Sequence, residues 1–485
     1  MSLSSALLTA QNSLAAASKK TAIVSRNIAG ASDPNYVRRT GSLVSGAHGS
    51  LYVNVGRSAD EALLTRYIEA NSQNASSSTL ATGLDRLSAL YSANNYAGSP
   101  AALIGDLRDA LQTYATQPSQ GATGDMAVNK AVALANALNE GSLQVQKLRA
   151  DADADIAASV DDINEMLAKF EAVNSKIVNG TRSGEDVSDF LDERDAILKD
   201  LSGEIGITTM TRSDNDMVIF AENGVTLFEK TARAVSFEPT TAFAAGVKGN
   251  NVYVDGVPLS HGTFEQPFGT GRLSGLLQLR DQVAPDYQSQ LDEIARGLVS
   301  MFAETDQTGA GNPTITGLFS YPGSPAVPAD GKLVPGLAGT IRVPSAYIRS
   351  EGGSAERLRD GSGGAYDYNK SNGAAFSDRL QQLIGQVGEK RNFDTAAGAG
   401  SNLSIIDYST GSASWLEGKR QVAAESKAYN STVASRADQA LSNATGVDIN
   451  EEMALLLEIE QSFSASSRIL STVGAMLDDL LNAVR

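Results

Sequence analysis

The side chains in this chain that could do chemistry are carboxylates, and their spacing keeps them apart. Asp151, Asp153 and Asp155 alternate within a stretch of helical pattern. Alternate positions on a helix point in different directions, so the three cannot converge on one calcium ion. A solvated acidic face is the expectation. Asp192, Glu193 and Asp195 flank Arg194, which reads as a salt-bridged helix face rather than a pair of catalytic acids. The stretch "DGSGGAYDYN" (360–369) puts oxygen-bearing side chains in a glycine-rich loop, read as a plain turn in preference to a calcium site. There is no cysteine, which removes thiolate catalysis, disulfides and cysteine-ligated metals. His48 and His261 stand far apart, each in loop-like sequence, so neither a histidine metal site nor a histidine-based triad is expected. Gly269, Gly271 and Gly275 have the wrong spacing for a dinucleotide turn and no βαβ unit around them. No catalytic, cofactor or metal residue is assigned, and the chain is read as a non-enzyme.

What these residues sit on is more informative. Near the C-terminus, Ile449, Met453, Leu456, Ile459, Phe463, Leu470, Val473, Leu477, Leu480 and Val484 recur in steps of three and four, with Ser466 in the one polar gap. That is the narrow stripe of a coiled-coil seam. Asp448 followed by Glu451 can close a capping box at its start. At the other end, Leu3, Leu7, Ala10, Leu14, Ala17, Thr21, Val24 and Ile28 keep four-three spacing for nearly four heptads, with Leu8 and Ile23 off the stripe. Two such stripes predict that the termini pair antiparallel. Burial along one seam only roughly cancels the cost of ordering nearly forty residues. The ends are therefore expected to fray in the monomer and to order when copies pack side by side. An ordinary helical hairpin capping a globular core is the alternative.

Between the ends the pattern is nested. Helical spacing covers about 59–91, Leu103–Tyr114 and 125–179, then a short amphipathic stretch ending at Ile207, about 273–304, and 374 onward. Period-two stretches around Asn223-Gly224 and Asp255-Gly256 read as hairpins, and Pro34-Asn35 as a turn with Pro at i+1 and, at i+2, an Asn that tolerates positive φ. The fold class is mainly α with β-rich insertions, an elongated multi-domain rod with paired terminal coiled-coil helices. Its expected divisions are a terminal domain (1–58 plus 445–485), a helical rod domain (59–204 plus 271–304 plus 374–444), a β-rich insertion (205–270) and a Gly/Pro-rich irregular or β insertion (305–373). The net charge of −17 and pI near 4.7 argue against a nucleic-acid surface. No stretch approaches the roughly eighteen apolar residues of a membrane helix. The N-terminus lacks the basic and continuous apolar regions of a cleaved signal peptide. Either a cytoplasmic protein or one exported without cleavage fits.

With both ends in view, the sequence resembles the flagellar rod, hook and junction proteins, the axial family. Ser25, Asn27, Ile28, Ala29, Pro34 and Tyr36 match the family's N-terminal Ser-x-Asn-(Ile/Leu)-Ala-Asn and Thr-Pro-Gly-Tyr motifs, while Gly30, Asp33 and Asn35 depart from them. Glu451, Glu452, Met453, Phe463 and Arg468 follow the C-terminal pattern, with Phe463 where Tyr is usual. Two internal stretches resemble the junction branch. One is Asp189–Ile207, with Asp192, Arg194, Asp195, Leu198, Leu201 and Ser202; the other is Gly271–Ala295, with Leu273, Gly275, Leu277, Arg280, Asp281, Pro285 and Leu291.

The resemblance implies an extracellular structural subunit of the bacterial flagellum, exported through the flagellar type III apparatus and assembled as a ring between hook and filament. Its implied partners are further copies of itself, the hook protein, a second junction protein on the filament side and an export chaperone on the C-terminal helix, with no nucleic acid, membrane or cofactor. Leu3, Leu7, Leu14, Asn27, Ile28, Pro34, Tyr36, Glu451, Glu452, Met453, Phe463, Arg468, Leu470, Leu477 and Leu480 are the residues expected to carry assembly. A hook or distal-rod subunit, or an adhesin presenting 205–373 on a flagellar scaffold, are the other readings.

Overall fold

The computed structural model describes residues 3–45, 51–92, 96–259 and 269–483. His48 and His261 lie outside them. The protein is mainly α, with small antiparallel sheets. In chain order the elements begin α1 (Leu3–Gly30), β1 (Arg39–Ser45), β2 (Leu51–Arg57), α2 (Glu61–Ser92), α3 (Pro100–Thr116), α4 (Gly121–Ser183) and α5 (Ser188–Glu204). Next come β3 (Ile207–Thr211), β4 (Met217–Ala221), β5 (Thr226–Phe228), β6 (Val235–Ser236), β7 (Tyr253–Val254) and β8 (Val257–Pro258). The remainder is α6 (Arg272–Gln278), α7 (Ala284–Met301), α8 (Arg357–Asp360), α9 (Asp378–Gly388), β9 (Arg391–Asn392), β10 (Asn402–Leu403), α10 (Ile405–Thr445) and α11 (Ile449–Ala483).

Local chemistry explains most boundaries. Ser99 caps α3 by accepting from Ala102 N, and Pro100 follows at the first position, where its missing N–H costs nothing. Asp255 and Gly256 both take positive φ between β7 and β8, as a tight two-residue hairpin requires. α4 is 63 residues long, or about 95 Å at 1.5 Å per residue. It extends past the expected 125–179 at both ends. A single π turn over Leu279–Val283 joins α6 to α7. The Pro34-Asn35 turn closes through Tyr36 N donating to Asp33 O, with Asp33 Oδ1 accepting from Asn35 N. The turn forms as expected, and Asn35 takes it at negative φ, with the Asp33 side chain closing it.

The chain forms two compact units, each discontinuous in sequence. The first takes 1–74, 161–235 and 429–485; the second takes 75–160 and 236–428. In the second, α7 is the centre, with 14 of 18 residues buried. Its carboxylates tie down the irregular segments around it. Asp292 accepts from Gly336 N and Ala338 N, both at 2.8 Å, and Glu293 accepts from Asp394 N at 2.7 Å while pairing with the buried Arg296. Just beyond the helix, Glu304 accepts from Tyr347 Oη and Ser362 N. Residues 305–373 contain short helical turns and isolated bridges.

The aspartate triplet in α4 corrects the sequence reading. Asp153 is buried, receiving Arg280 Nη1 at 2.6 Å and Thr240 N at 2.7 Å. Asp151 pairs with Arg86 and Asp155 with Arg272. The three carboxylates point three ways and meet three arginines; the solvated reading fails at Asp153, while Asp151 and Asp155 remain partly exposed ion pairs. In the 360–369 loop, Asp360 is taken up by Arg359 and Asn369. Gly275 marks a close approach: a Cβ there would fall 2.7 Å from Ser76 O on α2.

Candidate assembly site

The first unit is organised by α1 and α11, which pack antiparallel. Ser13 and Ser466 hydroxyls meet at 2.9 Å, and Asn27 Nδ2 donates to Glu452 at 3.0 Å, so two contacts about four turns apart run in opposite senses. Between them Ala17, Val24 and Ile459 form a small core, with Ile28, Leu455 and Leu456 against it. The polar gap at Ser466 is matched by a serine across the seam. The other face of α1 is also used: Ala16 and Ile23 pack on Val53 of β2, which accounts for Ile23 lying off the heptad stripe.

At the Asn27 end the contact becomes a fully satisfied polar clasp. Asn27 is 1% exposed and uses all four of its hydrogen-bonding positions. Its Nδ2 donates to Arg39 O and Glu452 Oε2, and its Oδ1 accepts from Arg39 N and Tyr36 Oη. Glu452, at 0% exposed, also accepts from Arg38 Nε at 2.6 Å. The Tyr36 ring lies on Gly30, where a Cβ would come within 2.6 Å of it. The glycine that departs from the family motif is therefore the seat of the motif's tyrosine.

Beside the clasp runs a ladder of alternating charge, Asp186–Arg26–Asp189–Arg39–Asp192–Arg57–Asp195. Asp189, Asp192 and Asp195 share one face of α5 at i, i+3 spacing, and the arginines come from α1, β1 and β2. Arg26 reaches Asp189 at 2.7 Å. Arg39 bridges Asp189 at 3.0 Å and Asp192 at 2.6 Å, and Arg57 bridges Asp192 at 2.7 Å and Asp195 at 2.6 Å. Burial works against the Arg39 charge, but Asp192 and Asp189 outweigh it and hold its pKa above the ordinary arginine value. Asp192 and Asp195 thus pair with the N-terminal segment and not with Arg194, as the sequence suggested. Arg194 instead donates to Asn215 O and Asn174 Oδ1, and Glu193 is exposed.

The expected assembly residues divide into two groups. Asn27, Tyr36 and Glu452 come together in the clasp, Ile28 packs beside them, and Glu451 reaches Arg38 at 3.3 Å. Leu7, Leu14, Leu470 and Leu477 are half-buried. Leu3 begins α1. Pro34, Met453, Phe463, Arg468 and Leu480 are exposed. Only Glu452, Ile459, Ser466 and Val473 of α11 are buried, while Phe463 is 47% and Leu481 68% exposed. Leu457, Ile469 and Met476 are also open. A helix as small-sided as α1 covers a line of α11 and leaves its apolar flanks in water. The clasp residue Arg38 and the ladder residues Arg39 and Arg57 were missed by sequence reasoning, though the paired arginines after Tyr36 and the three-residue spacing of the aspartates were visible signals. Among the described residues, no group of three His, Cys, Asp or Glu side chains could hold a metal, and no helix is long and apolar enough to cross a membrane.

Two family profiles match the chain. One, described as flagellar hook-associated protein FlgK helical domain, covers residues 84–318; the other, flagellar basal body rod FlgEFG protein C-terminal, covers 437–483. Both matches are to flagellar axial proteins, one to a rod-type C-terminal segment and one to a hook-associated helical domain. Among curated proteins the chain is similar to flagellar hook-associated protein 1. The Escherichia coli protein of that name is 24% identical over 63% of this chain and 58% of its own length. The Salmonella typhimurium protein is 26% identical over 62% and 56%, and the Bacillus subtilis protein 20% identical over 78% and 74%. The match thus spans little more than half of the enterobacterial relatives. Among solved structures, the flagellar hook junction protein FlgK from Burkholderia pseudomallei aligns with a TM-score of 0.42 at 24% identity, over 53% of this chain and 46% of that one.

Proposed function

We propose that this chain is a structural subunit of the bacterial flagellum, placed outside the cell at the junction between hook and filament. It assembles with copies of itself through its terminal helices, meeting hook protein on one side and a second junction protein on the other. The observation that carries the reading is α11: a helix clasped to α1 along one line, with large apolar side chains left exposed on both flanks. Such a face is unfinished in the monomer. The same face gives an export chaperone something to cover before secretion. The sequence divisions into terminal, rod and inserted parts fit a subunit whose ends form the tube and whose insertions face outward. The role asks for mechanical packing and no catalysis.

The test removes residues 477–485 from the full chain and expresses it in flagellated cells lacking their own copy. The truncated protein is expected to stay folded by circular dichroism but to be absent from sheared flagella. Normal incorporation contradicts the proposal. An adhesin would keep its binding after the same truncation.

A further inference from the structure

The chain has no cysteine and eight methionines, so every sulfur atom in it is a thioether. These are its soft, oxidisable groups, and no thiol competes with them for an oxidant. The fold sorts the described methionines by access. Met217 and Met301 are buried, whereas Met126, Met210, Met453 and Met476 are each 41% to 53% exposed.

Two of those four stand on α11, one on each side of its covered line. That line is Glu452, Ile459, Ser466 and Val473, seven residues apart. At about 100° per residue, Met453 leaves the line on one side, directly after Glu452, and Met476, three residues after Val473, leaves it on the other. Met476 shares its flank with Ile469, seven residues earlier and also exposed. Neither methionine belongs to the small core of Ala17, Val24 and Ile459, so a change at either leaves that packing alone. A flexible, polarisable side chain suits a contact that must adapt to a neighbour's surface.

We propose that Met453 and Met476 are oxidation sites through which a hydroperoxide turns off the assembly face of α11. The thioether sulfur attacks one peroxide oxygen and the O–O bond breaks. Sulfur is oxidised by two electrons to the sulfoxide, while the proton on the transferred oxygen passes to the departing hydroxide, which leaves as water. The product puts a polar, chiral group on an apolar flank. Covering that oxygen without a donor is unfavourable. In an assembled chain the sulfurs are shielded, so the modification acts on the free chain. Methionine sulfoxide reductases reverse it. The inference rests on the assembly role of α11 proposed above.

The test is a competition within one pool of purified full chain, treated with hydrogen peroxide until each exposed methionine is partly oxidised, with its helicity unchanged by circular dichroism. The pool is supplied to cells lacking their own copy. Sulfoxides are then mapped by peptide mass spectrometry in the chains recovered with sheared flagella and in those left behind. Sulfoxide at Met453 and Met476 is expected to be roughly tenfold scarcer in the incorporated chains, with Met126 and Met210 sulfoxides equally present in both fractions. Prior treatment of the pool with the reductases should erase the difference. Equal sulfoxide content at all four positions overturns the proposal and leaves self-assembly standing. Depletion at all four overturns it too, because oxidation then excludes the chain wherever it falls. So does a peroxide that oxidises Met126 and spares Met453 and Met476. If even untreated chain stays out of the flagella, the assembly reading falls and this inference with it.

Discussion

Helices α7 and α11 are both rich in apolar residues, yet they are used in opposite ways. Of the 18 residues in α7, 14 are buried, including Arg296 and Glu293, which satisfy each other in the interior. Of the 35 in α11, four are buried. The first is finished: its polar groups are paired and its surroundings are in place. The second is clasped at one end, lined up by a seam of small residues, and otherwise open. Apolar composition alone does not distinguish a core helix from an assembly helix; the number of faces that find a partner in the same chain does.

The largest effects should come from shortening the same residue type on the two helices. Leu298→Ala is expected to cost about 2–5 kcal/mol, read as faster amide exchange across 284–301. Leu481→Ala should stay within about 0.5 kcal/mol. Equal losses would break the comparison.

Acidity gives a second contrast, with opposite signs. Burial raises Asp292, against hydrogen bonds from Ala338 N and Gly336 N, to a pKa of about 6. A raised folded pKa contributes stability that is present below the unfolded value and lost as pH rises through about 6. Protection around α7 should therefore weaken by about 2 kcal/mol between pH 4 and 7 from this group, and Asp292→Asn should flatten that slope. Asp186 in the ladder behaves in reverse. Burial would raise it, but hydrogen bonds from Ser188 and the Arg26 charge outweigh that and hold it below the ordinary value. Its contribution is present at neutral pH and lost on acidification.

A smaller, local effect belongs to the clasp. Glu452→Ala strands Asn27 and Arg38, and because Arg38 still reaches water the expected cost is about 2 kcal/mol, below that of a fully buried pair. It should show as faster exchange in the first turns of α11, with α7 unaffected.

The termini were legible in sequence because heptad spacing survives without knowledge of the partner, and the clasp was legible in part because Asn27, Tyr36 and Glu452 sit in family motifs. Hairpins announced themselves through Asn223-Gly224 and Asp255-Gly256. What could not be read was pairing over long separations. Asp192 looked like a local partner of Arg194, but its arginines are Arg39 and Arg57, brought to α5 by a hairpin more than a hundred residues earlier. Asp153 looked solvated for the same reason, since Arg280 arrives only once α4 and the π turn are packed. Phe463 and Leu480 follow the seam's spacing and yet stay exposed. Heptads show which residues are apolar and aligned, not how wide the partner is.

The most direct test of the central claim, that the open flanks of α11 serve assembly and not the monomer's core, is one variant carrying Leu457→Ser, Met476→Ser and Leu481→Ser. Its helicity and thermal unfolding would be measured beside its incorporation into flagella. The account predicts a monomer as folded and as stable as the parent, within about 1 kcal/mol, and a chain missing from the assembled flagellum. A variant that unfolds, or one that assembles normally, would contradict it.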